Sequence, residues 1–64
     1  MENKYLIDAR KKTGRTQRSV AFEAEITPAH YNRIENGKRQ PSVDVAKKIA
    51  EVLGFDWTEF FREV

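Results

Sequence analysis

Cysteine is absent from the chain, which excludes a disulfide scaffold and any thiolate-bound metal. No stretch approaches the roughly 20 apolar residues that a membrane span requires. The opening MENKYLIDARKK carries charges where a signal peptide needs an apolar run. The one histidine, His30, stands without cysteine or paired carboxylates and makes no metal site. Also missing are a nucleophile with its base and orienting group, a glycine-rich phosphate loop and a paired-acid site, so no enzyme, metal or cofactor is expected. There is no repeat, low-complexity tract or internal linker. The 64 residues are expected to form a single cytoplasmic domain, 1–64, with no small-molecule substrate. A domain this small hides only about 60% of the surface its unfolded chain exposes, so its stability should be modest.

What is present is an uneven distribution of charge. The net value is only +2, yet eight Lys/Arg stand against three Asp/Glu between Arg10 and Arg39. From Ile49 onward Arg62 is alone against Glu51, Asp56, Glu59 and Glu63. A basic centre with an acidic end suits a protein that turns one face to phosphates.

The stretch Thr16 to Gly37, TQRSVAFEAEITPAHYNRIENG, reads as two short helices around a tight turn. Thr16 is a good N-cap, and Val20, Ala21 and Ala24 recur at helical spacing. Thr27-Pro28 restarts a helix, with a capping hydroxyl followed by a proline where no N–H is needed. Tyr31 and Ile34 face inward, and Asn36-Gly37 tolerates the left-handed backbone that ends the helix. Two such helices crossing steeply make a helix-turn-helix, residues 16–37, with its second helix at about 28–36. Around it the sequence predicts a first helix from about Asn3 to Lys12, with apolar contacts from Tyr5, Leu6 and Ile7 and a stop at Gly14. A fourth helix runs from the cap Ser42 through Leu53, with Val43, Ala46, Ile49, Ala50 and Leu53 on one stripe. Asp56 then caps a short fifth helix that folds Trp57, Phe60 and Phe61 back onto that stripe. The aromatic residues are read as core rather than as a stacking platform.

From about Leu6 to Phe61 the chain resembles the XRE family, the phage-repressor and Cro-like DNA-binding domains. The resemblance rests on the ordered set of Thr16-Gln17, the Ile34-Glu35-Asn36-Gly37-Lys38-Arg39 run, Pro41-Ser42, the Lys48-Ile49-Ala50 to Leu53-Gly54 helix and the closing Glu59-Phe60-Phe61. It implies an all-α fold, a compact five-helix lambda-repressor-like domain with a central helix-turn-helix. Three positions depart from the pattern. Glu25 replaces the turn glycine, which leaves the turn to a non-glycine residue for which positive φ is one option, Arg15 replaces an apolar residue, and Phe22 replaces a charged one. The resemblance further implies a structural salt bridge between Arg10 and Glu35, for which a guanidinium fork is well suited.

In this docking geometry the second motif helix offers its N-terminal residues to base edges in the major groove. The base-reading candidates are Thr27, Pro28, Ala29, Asn32 and Arg33. Arg33 is placed either on guanine O6 and N7 or on a phosphate, and Asn32 either on adenine or on a phosphate. Thr27 and Ala29 suit a thymine methyl, while Pro28 offers shape alone. Phosphate contacts are expected from Gln17, whose family counterpart grips one, and from Asn36, Lys38 and Arg39. His30 is either a phosphate contact or simply exposed, and Arg15 and Arg18 either add long-range attraction or sit on a solvated face.

The expected partner is a double-stranded DNA operator. The expected role is that of a transcriptional regulator, a repressor of bacterial or phage type associated with the nucleoid. A module of this footprint usually needs a homodimer on DNA for specificity, with the Phe61–Val64 end and Phe22 as candidate surfaces. The alternatives are a protein-interaction module of the same fold, an antitoxin or adaptor, and a DNA-binding module cut from a longer protein.

Overall fold

The protein is described here by a computed structural model covering residues 2–62. Four α-helices, α1 (Lys4–Lys12), α2 (Gln17–Glu23), α3 (Pro28–Glu35) and α4 (Val43–Leu53), are followed by a 3-10 helix, Trp57–Phe61. No strand occurs among the described residues.

Each α-helix starts where a short polar side chain can satisfy an orphan N–H. Asn3 Oδ1 accepts from Leu6 N at 3.0 Å, Thr16 Oγ1 from Ser19 N at 3.0 Å, and Thr27 Oγ1 from His30 N at 3.1 Å. Ser42 Oγ does the same for Val45 N at 3.2 Å. The fifth expected helix is a 3-10 helix because Asp56 draws its first turn tight. Its carboxylate accepts from both the Thr58 amide (2.9 Å) and the Thr58 hydroxyl (2.7 Å). Glu59 N then donates to Asp56 O at 3.0 Å, an i→i+3 bond.

The core gathers Leu6 from α1, Val20 and Ala21 from α2, and Ala24 from the turn. Tyr31 and Ile34 of α3, Ala46, Ile49 and Leu53 of α4, and Phe60 complete it. α2 packs against both α3 and α4, α1 against α3, and the 3-10 helix against α4. Four expected core contributions are revised. Val43 is 48% exposed because it opens α4, one turn before the first buried residue of the stripe, Ala46. Phe61 is 38% exposed, since the 3-10 helix turns only Phe60 fully inward. Tyr5 is half-exposed and meets Phe55 edge-on, with centroids 5.2 Å apart, while Ile7 is only partly buried. Glu63 and Val64, part of the expected dimer surface, lie outside the described residues.

The turn between α2 and α3 explains how the motif manages without its glycine. Ile26 N donates to Ala21 O at 3.0 Å and Glu25 N to Phe22 O at 3.2 Å. This paired closure needs a left-handed residue at its corner. The same closure ends α1 at Gly14 and α3 at Gly37, where glycine takes the positive φ without strain. Glu25 adopts φ 63° in their place. Its carboxylate accepts from Lys48 Nζ at 3.0 Å, which ties the turn to α4 across solvent-exposed ground.

A side chain in left-handed backbone is strained, whereas an exposed ion pair contributes little. Glu25→Gly is therefore expected to stabilise the protein by about 0.5–1 kcal/mol, part of the relief being offset by the freer unfolded chain. Urea unfolding reads this as a higher midpoint at an unchanged slope. A lower midpoint would mean that the link to Lys48 outweighs the strain.

Candidate nucleic-acid interface

α3 is divided lengthwise. Tyr31, Ile34 and Glu35 are buried, while Thr27, Pro28, Ala29 and Arg33 are exposed and His30 and Asn32 lie partly buried between them. The apolar pair Tyr31/Ile34 fixes this orientation, so the outward face is the polar one. Beyond the helix, Lys38 N and Arg39 N both donate to Arg33 O, at 3.0 and 3.3 Å. The backbone of the basic loop is thereby fastened to the end of α3, with Lys38 and Arg39 exposed.

Beneath this face lies a buried charge. Arg10 Nε donates to Glu35 Oε2 at 2.6 Å and its Nη2 to Oε1 at 3.3 Å, with the two side chains only 14% and 2% exposed. Arg10 Nη1 also donates to Arg15 O at 3.0 Å, and Asn3 N donates to Glu35 O at 2.8 Å. One guanidinium thus joins α1, the loop before α2, and the end of α3. Burial disfavours the Glu35 anion, but the Arg10 guanidinium and the Gln17 amide, both hydrogen-bonded to it, outweigh that cost. The carboxyl is held below its usual range. The Tyr31 hydroxyl is buried with no hydrogen-bond partner among the described residues. Burial and the adjacent carboxylate push its pKa far up, so it stays protonated.

From Glu35 a chain of amides runs outward. Gln17 Nε2 donates to Glu35 Oε1 at 2.8 Å, Asn32 Nδ2 to Gln17 Oε1 at 3.1 Å, and Asn36 Nδ2 to Asn32 Oδ1 at 3.0 Å. The carboxylate can only accept, so it must face the nitrogen of Gln17, and that choice orients every amide after it. Asn32 uses one of its two N–H groups and one of its two acceptor sites in the chain. One donor and one acceptor remain, the pair that a bidentate contact to adenine requires. Gln17 similarly retains its second amide N–H.

The structure therefore brings Gln17, Asn32 and Asn36 together and couples them to Arg10 and Glu35. Arg33 and the Thr27–Ala29 turn stand apart from this chain. Arg15 is drawn into an ion pair with Glu23, which compensates its charge locally, whereas Arg18 is exposed without a polar partner among the described residues. The amide chain escapes sequence reading because Gln17 and Asn32 lie 15 positions apart. A polar residue at each of 17, 32, 35 and 36, at the facing ends of two adjoining helices, was its only trace. No cluster of metal-ligating side chains occurs among the described residues. No described helix is long and apolar enough to cross a membrane.

Comparison with known proteins identifies the family. Residues 6–60 match the family described as helix-turn-helix. The chain is 55% identical over 64 residues to the "Uncharacterized HTH-type transcriptional regulator YqaF" of Bacillus subtilis (strain 168), covering all of this chain and 84% of that protein. It is 34% identical over 55 residues to "Control protein C.MunI" of Mycoplasma sp, covering 86% of this chain and 74% of that one. No solved structure matches. The chain belongs to the XRE-type helix-turn-helix family.

Removing one partner of the buried pair strands the other charge. Arg10→Ala is expected to cost about 3–5 kcal/mol in urea unfolding, and a loss well below that range would show that Glu35 is solvated after all. The lowered pKa of Glu35 also sets a pH dependence. Its contribution is complete above the ordinary carboxylate range and disappears as pH falls through its own lower folded-state value. Glu35→Gln should therefore be less stable than the parent at neutral pH, with the gap closing in acid. A gap independent of pH would assign the loss to packing alone.

Proposed function

We propose that this chain is a sequence-specific, double-stranded-DNA-binding transcriptional regulator that reads the major groove with α3. In this reading residues 1–64 form one lambda-repressor-like domain, a repressor of bacterial or phage type that acts in the cytoplasm, at the nucleoid, by occluding a promoter. The observation that carries the reading is the outward face of α3. It is exposed, polar and basic, backed by a buried ion pair and followed at once by Lys38 and Arg39. A surface made for a helical protein partner would carry an apolar patch there instead. The relatives named as a transcriptional regulator and a control protein support the same role.

Thr27, Pro28, Ala29, Asn32 and Arg33 are the base-reading set, with Arg33 as the leading guanine contact. Gln17, His30, Asn36, Lys38 and Arg39 serve the phosphates. Asn32 reads its base through the donor and acceptor that the amide chain leaves free, and Gln17 holds it in position from behind. The protein acts as a homodimer on two half-sites, since one module covers only about 600–1,000 Å². The Phe61 end of the 3-10 helix supplies the surface, where Phe61 is 38% exposed and meets Trp57 edge-on at 6.0 Å.

Selection of the purified protein against a random duplex library at near-physiological salt tests the proposal. An enriched palindrome is expected, and an absence of enrichment would overturn it in favour of a protein partner. On the recovered operator Arg33→Ala should lose about 1–3 kcal/mol and relax the preference at one base pair. Lys38→Ala should weaken binding to all sequences alike and make the salt slope shallower by about one. Uniform loss for Arg33→Ala would reassign that residue to a phosphate, and an unchanged slope would remove Lys38 from the interface.

A further inference from the structure

Phe22 is 83% exposed, the most exposed of the large apolar side chains among the described residues. It does not stand alone. An open cavity of about 490 Å³ is lined by Thr16, Arg18, Ser19, Phe22, Ile26 and Pro28. Its walls are the outer face of α2, the turn, and the first residue of α3. Phe22, Ile26 and Pro28 make it chiefly apolar, no carboxylate lines it, and Arg18 stands at its edge without a polar partner among the described residues. Pro28 belongs both to this cavity and to the exposed first turn of α3, so the apolar wall continues directly into the face that reads bases.

We propose that this cavity is a part of the DNA interface, in which Phe22, Ile26 and Pro28 cradle a thymine C5 methyl group and its deoxyribose at the outer edge of each half-site. The inference rests on the DNA-reading function proposed above and adds a specificity determinant to it. A thymine presents an apolar methyl in the major groove beside its own backbone phosphate. An apolar wall with one unpaired guanidinium at its edge matches that pair of features. Arg18 takes the phosphate and Phe22 closes over the methyl and the sugar. An acidic protein partner would need further cations around the rim, and the lining holds only one. The contact discriminates by shape and by removal of apolar surface from water, so it selects thymine without any hydrogen bond.

The test uses the full chain and the selected operator duplex, with deoxyuridine replacing thymidine one position at a time to delete only the methyl. The parent protein should lose about fourfold at one outer position, the worth of burying a single methyl group. Phe22→Ala should bind the thymidine duplex about tenfold more weakly and become indifferent to deoxyuridine at that position. Its salt slope should be unchanged because no charge is removed. Phe22→Leu, which keeps an apolar side chain, should retain most of the discrimination. Arg18→Ala should make the slope shallower by about one. Such an exposed side chain can be truncated without emptying the core, and thermal unfolding of the variants should match the parent.

Phe22→Ala with parental affinity and the parental deoxyuridine profile would overturn the cradle while leaving the DNA-reading function intact. Loss of self-association in sedimentation, with an unchanged deoxyuridine profile, would overturn it too and give the cavity to a second copy of the chain. A parent that selects no operator would end the functional proposal itself, and the cradle with it.

Discussion

The buried pair of Arg10 and Glu35 is the constraint on which the rest of the structure depends. A 64-residue chain has little core to spare, and its α1 contributes one fully buried apolar side chain, Leu6. Apolar contact alone would leave α1 loosely held. The guanidinium fork supplies what the core lacks, a directional connection from α1 to the end of α3, with a third donor on the carbonyl of Arg15. A pair of this kind is costly to bury and costlier still to break, so it acts mainly to specify one arrangement of the helices. The arrangement it selects is the one in which α3 turns Tyr31 and Ile34 inward and its polar residues outward.

The same carboxylate organises the surface. Because Glu35 cannot donate, it dictates the orientation of Gln17, then of Asn32, then of Asn36. Three flexible amides, each of which would otherwise rotate freely, are held in one sense before any partner arrives. Ordering side chains in advance removes part of the entropic cost that binding would otherwise incur. The buried charge and the exposed face are therefore one system, and the geometry at Asn32 is set from inside the protein.

Much of the architecture was legible in the sequence because it is locally encoded. Asn3, Thr16, Thr27 and Ser42 mark helix starts through hydroxyls and amides that reach only three residues ahead. The stripe on α4 follows from spacing alone, with Val43 as the exception because full burial along the helix begins only at Ala46. What could not be read locally was set by tertiary contact or by competition over short distances. Asp56 tightens the last element into a 3-10 helix through its bonds to Thr58, which leaves Phe61 outside. The positive φ of Glu25 follows from the paired closure of α2, where the chain needs a corner whatever residue occupies it. At the candidate site, residue type indicated which side chains stand on the outer face, but the coupling of Gln17 to Asn32 and Glu35 existed only once two helices had been brought together.

The amide chain also divides the positions on α3 by how freely they can change over evolutionary time. Pro28, Ala29 and Arg33 project from the helix without a side-chain hydrogen bond to any described residue, so exchanging them leaves the fold undisturbed. Thr27 is restricted to residues that can cap, since its hydroxyl holds the His30 amide. Asn32 is restricted further, because a replacement must answer the oxygen of Gln17 and the nitrogen of Asn36 at once. A lineage built on this scaffold can drift readily at 28, 29 and 33, while 32 can change only in concert with 17 and 36. Divergence among such proteins should then proceed in two tempos, single replacements on the outer rim of α3 and rare joint replacements along its seam with α2.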